Sequence, residues 1–199
     1  MTDILSSAPI EEHPLRPFLP AGGRVLLLGS FPPPVTRWCM HFFYPNYQND
    51  MWRIIGYLFK GDRLAFVDSE HKTYRLETLR QFLEETGLAF YDTACAVRRL
   101  KANASDKYLE VVKQTDIAAL LQQMPLCHAI ATTGQKAAET LGERLGVTPP
   151  AVGHVVETQW AGRQLRFYRM PSSSRAYPIA LEKKAAVYHV LFRAEGILP

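Results

Sequence analysis

Cysteine is scarce. Cys39, Cys95 and Cys127 are the only three in 199 residues. They are odd in number, far apart and without histidines at metal-ligand spacing, so neither a disulfide framework nor a zinc site is supported. They read as buried or idle thiols in a reducing compartment. Long apolar runs are missing too: no stretch approaches the ~20 residues that a membrane span requires. Residues 1–20 carry acids and prolines where a signal peptide has a basic start and an apolar segment, so no membrane anchor and no leader are expected. The expected location is cytoplasmic. Strong charge is also lacking, since 23 Lys+Arg against 19 Asp+Glu leave a net +4, which permits a polyanionic partner without demanding one. There is no internal repeat and no linker. With 47% hydrophobic residues the chain can build one core, and the expected organisation is an irregular lead-in over 1–23 followed by a single α/β domain over 24–199.

What is present is organised around residues 24 to 56. Arg24-Val25-Leu26-Leu27-Leu28-Gly29-Ser30-Phe31 reads as a buried parallel strand opening into a loop, and Pro32-Pro33-Pro34 forbids a ladder or helix directly after it. The following His41-Phe42-Phe43-Tyr44-Pro45-Asn46-Tyr47-Gln48-Asn49-Asp50-Met51-Trp52 is dense in aromatics and amides. Such side chains stack on flat rings and read hydrogen-bonding edges, which suits a nucleobase or another planar ligand; a hydrophobic lid packed on its own domain is the alternative.

Periodicity predicts helices over 50–59, 75–86, 116–123, 137–145 and 181–192, the last with Val187, Val190 and Leu191 inward. Strands are predicted at 25–28, 88–92, 127–132 and 165–170, with a short edge strand at 154–158 and a loop over 101–106. Strands alternating with helices imply βαβ units and a three-layer α/β/α sandwich around a mostly parallel four-stranded sheet. Ser30, Asp92, Thr132 with Thr133, and Ser172 to Ser174 all follow strand ends, so they share one rim and converge on one pocket. Arg98, Arg99 and Lys101, and Arg163, Arg166, Arg169 and Arg175, form clusters that suit either a phosphate track or solvated faces.

Asn49 and Asp50 supply an amide and a carboxylate at one helix entrance, although capping that helix would explain one of them. Asp92 either reads a base edge or caps the segment after it.

Leu27-Leu28-Gly29-Ser30-Phe31-Pro32, Tyr44-Pro45 with Asn49-Asp50-Met51-Trp52, and Met170-Pro171-Ser172-Ser173-Ser174 occur in order along the chain. Tyr91-Asp92 to Arg98-Arg99 and the Gly134-Gln135-Lys136-Ala137-Ala138 turn lie between them. In these the sequence resembles the uracil-DNA glycosylase superfamily, closest to its mismatch-specific and hypoxanthine-DNA glycosylase branches. It departs from the pattern at Ser30-Phe31-Pro32-Pro33-Pro34, where many members carry an acid or asparagine that positions water. Two extra residues precede Asn49, and Arg175-Ala176-Tyr177-Pro178 replaces a histidine or Pro-Ala-Asn.

The resemblance implies a monomeric, monofunctional DNA glycosylase of base excision repair. It would flip out and hydrolyse a deaminated or mispaired base, uracil-like or hypoxanthine-like, with no cofactor and no metal. Breaking an N-glycosidic bond passes through an oxocarbenium-like sugar, so such a site needs an acceptor for water and donors for the departing base. Asn49 and Asp50 would be catalytic, orienting or activating water, and Ser30, Phe31, Phe42, Phe43 and Asp92 would bind the base. Thr133, Gln135, Lys136, Ser172, Ser173, Ser174, Arg175 and Tyr177 would contact DNA. The alternative is a glycosylase-like module that binds DNA or nucleotide without catalysis.

Overall fold

The computed structural model describes residues 8–101 and 106–198. In chain order the strands are β1 (Ile10–Glu12), β2 (Val25–Gly29), β3 (Val67–Asp68), β4 (Thr73–Tyr74), β5 (Leu88–Asp92), β6 (Ala94–Arg99), β7 (Leu109–Gln114), β8 (Ala129–Thr133), β9 (Val155–Trp160) and β10 (Arg163–Met170). The helices are α1 (Met51–Lys60), α2 (Leu76–Thr86), α3 (Ile117–Gln122), α4 (Gln135–Leu145) and α5 (Leu181–Ala194).

The central sheet runs β5-β2-β8-β10-β9. Its first four strands are parallel and β9 pairs antiparallel with β10 at the edge. This is the expected mostly parallel sheet with its edge strand. Every residue of β2, β5 and β8 is buried, which requires cover on both faces and explains why these strands are continuous apolar runs rather than alternating ones. Helices supply that cover. α1 packs on α5, α4 on β8 and α2 on β5. Each of α1, α2 and α4 ends on a glycine in the left-handed region, Gly61, Gly87 and Gly146, the usual stop for a helix entering a loop.

Several expectations are corrected. The lead-in is not wholly irregular: Ile10–Glu12 pairs antiparallel with β6, Ile10 opposite Arg98 and Glu12 opposite Ala96, while residues 1–7 lie outside the described residues. The segment after β5, where no strand is predicted, forms one: Thr93 turns the chain into β6, and β1-β6-β7 makes a second, antiparallel sheet. Phe31, Ala94, Val97 and Leu109 make a small core beneath it. Of the loop expected over 101–106, residues 102–105 lie outside the described residues, and Asp106 begins a 3-10 turn into β7. Finally, α5 does not turn Val190 inward: it is 58% exposed, and Lys184 is buried instead, with Ala185, Tyr188, Leu191 and Phe192. The buried charge is explained by its partner, described below.

Candidate active site

Beyond the carboxyl ends of β2, β5 and β8 lies a cavity of about 280 Å³, the place where open parallel sheets bind ligands. Its floor is Gly29, Ser30 and Asp92, with Thr133 beside them. Phe31, Phe43, Tyr44, Asn46, Gln48 and Asn49 form one wall, and Ser172 to Ala176 and Asp106 contribute others. The expected convergence of four strand-end loops is therefore observed.

Asp92 is held from both sides. His13, at the end of β1, reaches it with Nε2 2.8 Å from Oδ2, and the His13 side chain is only 2% exposed. Nε2 is the donor in this bond, because a carboxylate only accepts; Nδ1 lies against Leu15, 2.9 Å from its carbonyl oxygen and 3.1 Å from its backbone nitrogen. The other oxygen, Oδ1, sits so close over Gly29 that a Cβ there would lie 2.3 Å from it. Gly29 is thus required by the approach of a side chain, with its own backbone in ordinary strand conformation. Asp92 does not serve as a helix cap, because the residue after it enters another strand.

The aromatic loop is fixed by buried polar bonds. Trp52 Nε1 donates to the Phe43 carbonyl at 3.0 Å, and Arg53 donates to the carbonyls of Tyr47 and Asn49 at 2.7 and 3.1 Å. The Arg53 guanidinium lies 4.9 Å from the Tyr47 ring centroid and 5.6 Å from that of Tyr74, attractive contacts for a cation. Tyr44 has φ 48°, a conformation that costs a non-glycine residue about 1 kcal/mol or more and concentrates at functional sites. Its hydroxyl is 2.8 Å from Thr133 Oγ1. Burial first, and the charges of Asp92 and Asp106 after it, push the Tyr44 hydroxyl well above its ordinary range, so it stays neutral.

The two phenylalanines divide. Phe43 lines the cavity, whereas Phe42 packs on Phe18 and Trp52 in the core. The expectation that Phe42 faces the base is corrected: consecutive side chains point to opposite sides of the loop, and the apolar cluster over α1 takes this one.

Asn49 and Asp50 divide as well. Asn49 lines the cavity, and its Oδ1 accepts the Met51 N–H at 2.9 Å. That bond fixes the amide orientation and leaves Nδ2 as the group available to a ligand. Asp50 turns out of the cavity. Lys184 Nζ donates to Oδ2 at 3.0 Å and Arg175 Nε to Oδ1 at 3.2 Å, and Lys184 also donates to the Ser174 carbonyl at 2.8 Å. The Asp50 N–H donates to the Ser173 carbonyl at 2.9 Å. The expected role of Asp50 in activating water is corrected: both carboxylate oxygens are occupied, and the residue ties the start of α1 to the serine loop and α5.

In that serine loop, Ser172 Oγ accepts from Ser174 N–H and Ser174 Oγ from Ala176 N–H, both at 3.2 Å, so each hydroxyl proton stays free to donate. Gly134, φ 96°, brings the amino end of α4 against Ser172. Gln135 and Lys136 open that helix outside the cavity lining, with Gln135 donating to Glu139 at 2.7 Å. Tyr177 lies beyond the lining too, whereas Arg175 is part of it with its side chain 52% exposed.

Sequence reasoning missed His13 and Asp106. Asp106 is half-buried and lines the cavity, as Ser30 does. Burial, and then the charge of Asp92, raise its pKa, against lowering by Ser30, Arg99 and Lys136.

The arginine clusters are mostly committed inside the protein. Arg98 pairs with Glu110 at 3.5 Å, Arg99 with Glu11 at 3.1 Å, and Arg166 Nε with Glu195 at 2.7 Å. Arg163 donates to the carbonyls of Leu121 and Met124 at the end of α3.

No known family model matches the sequence, and no curated protein is similar to it. Among solved structures, the chain is similar to the solution NMR structure of a "putative uracil DNA glycosylase" from Methanosarcina acetivorans, with a TM-score of 0.61 at 20% identity. The match covers 94% of this chain and 99% of that one. The two proteins share their α/β fold, a mostly parallel central sheet flanked by helices. No helix among the described residues is long and apolar enough to cross a membrane.

Proposed function

We propose that the protein is a monofunctional DNA glycosylase that takes a deaminated or mispaired base, uracil-like or hypoxanthine-like, into this cavity and releases it hydrolytically. The observation that carries the reading is Asp92, whose His13-anchored carboxylate meets Phe31, Phe43 and the Asn49 amide in one pocket at the sheet's carboxyl rim. Flipping a base from the stack costs a few kcal/mol and needs a pocket with an aromatic face and an edge reader. Phe43 and Phe31 supply the face. Asp92 Oδ1 accepts a ring N–H of the base, since an ionised carboxylate only accepts. Asn49 Nδ2 donates to the charge that builds on the departing base, and donors preorganised for such charge are the larger part of many rate enhancements. Ser172 to Ser174, beside the amino end of α4, offer hydroxyl and backbone donors to the DNA phosphates. No lysine lines the cavity among the described residues, in keeping with water rather than a lysine amine as the nucleophile.

Duplexes carrying uracil, hypoxanthine, xanthine or a thymine mispair, incubated with excess protein and then treated with alkali, should break at the lesion. Absence of product with all of them refutes the proposal.

A further inference from the structure

Hydrolysis needs an acceptor to orient and deprotonate water, and the loop after β2, Ser30-Phe31-Pro32-Pro33-Pro34, carries no such group of its own. Accounting for the acceptors around the cavity leaves few choices. Asp50 is withdrawn from it and fully paired. Asn49 Oδ1 is taken by a backbone N–H. Asp92 gives Oδ2 to His13 and lies over the floor at Gly29, where it faces the base. The remaining carboxylate in the lining is Asp106, delivered from the 3-10 turn that leads into β7.

We propose that Asp106 is the general base of this site: it binds the attacking water and takes its proton. The proposal rests on the glycosylase reading. In the step, the water oxygen bonds to the sugar C1′ as the C1′–N bond breaks, and that electron pair leaves on the base nitrogen. One water proton moves to the Asp106 carboxylate, and the departing base is protonated by that carboxyl or by solvent. The chain thereby supplies from the small antiparallel sheet the carboxylate that the first strand's loop lacks.

The environment suits the role. A general base is most effective with its pKa near the working pH, and burial moves Asp106 upward. The ionisable groups acting on it are Asp92 at the end of β5, which raises it, Arg99 in β6 and Lys136 in α4, which lower it, and Tyr44, itself held neutral.

The test is single-turnover excision against pH for the native protein and for Asp106→Asn and Ser30→Ala, with duplex affinity and thermal melting measured alongside. Asp106→Asn preserves shape, so it should fold and bind DNA within about threefold of the native protein while losing about 10²–10³ in rate. The native rate should rise with pH through the acidic limb and then level off, and the asparagine variant should lack that limb. Ser30→Ala should lose less rate and shift the limb upward, since the hydroxyl stabilises the carboxylate. Native activity with an Asp106→Asn rate within threefold overturns the assignment and leaves the glycosylase reading intact, as does a native rate that falls with pH across the limb, which makes Asp106 an acid. A native protein inactive on every lesion overturns both.

Discussion

At the scale of single residues, the pocket depends on the orientation of one carboxylate. His13 Nε2–H faces Asp92 Oδ2 and Gly29 leaves room for Oδ1, so Asp92 presents an acceptor to the cavity. The same geometry decides what an amide would do there. In Asp92→Asn an imidazole that keeps its Nε2–H faces the amide oxygen, which turns the NH₂ toward the cavity and replaces an acceptor with a donor. Bases that offer a ring N–H to this spot should lose rate and those that offer a carbonyl should lose less, changing relative rates across the four lesions by roughly tenfold or more. Duplex affinity should change little, because phosphate contacts dominate it. Unchanged relative rates in a folded variant would confine Asp92 to holding His13.

At the scale of elements, α1, the serine loop and α5 are joined through Asp50 and Lys184, the latter with a side chain at 0% exposure. Removing one partner of a buried pair typically costs about 3–5 kcal/mol, because the other is left charged and desolvated. Asp50→Ala should therefore lower stability by about that amount in urea unfolding, and Asp50→Ala combined with Lys184→Met should recover most of it. A loss of all activity at unchanged stability would instead place Asp50 in the chemistry. This pair also shows where the sequence was legible and where it was not. β2, β5 and β8 were legible because strands buried on both faces must be apolar throughout. The burial of Lys184 was not, because a lysine on a helix face has the same pattern whether water or a carboxylate 134 positions earlier in the chain receives it. The second sheet escaped for a related reason. β1 is three residues long, β7 alternates weakly on an exposed edge, and their cohesion comes from Phe31, Ala94, Val97 and Leu109, assembled from distant segments. His13 and Asp106 sit at the ends of those strands, so missing the sheet meant missing both residues at the cavity. Asn49, Asp92 and the serine loop were legible because they follow strands or precede a helix with clear periodicity.

At the scale of the whole molecule, the net charge of +4 overstates what is available to a polyanion. Arg98, Arg99 and Arg166 are paired with carboxylates, Arg163 and Arg53 are spent on carbonyls, and Lys184 is buried. Arg37 and Arg175 remain at the cavity rim, the latter giving Nε to Asp50 but with its side chain 52% exposed, and Lys136 lies nearby at the start of α4. A protein that neutralises Z phosphates of duplex DNA releases counterions, and log affinity falls against log salt with a slope of about −0.9Z. About three phosphate contacts then predict a slope near −3, shallow beside proteins that grip DNA with a continuous basic track. Recognition would have to draw on the flipped base and the uncharged serine and backbone donors, whose contribution salt barely changes. Titrating a lesion duplex from 50 to 200 mM salt, roughly the range over which such slopes are read, should show this, and Arg175→Gln should make the slope shallower by about one. A native slope of about −6 or steeper, or one untouched by Arg175→Gln, would mean that DNA runs over a different face, away from the carboxyl rim of the sheet.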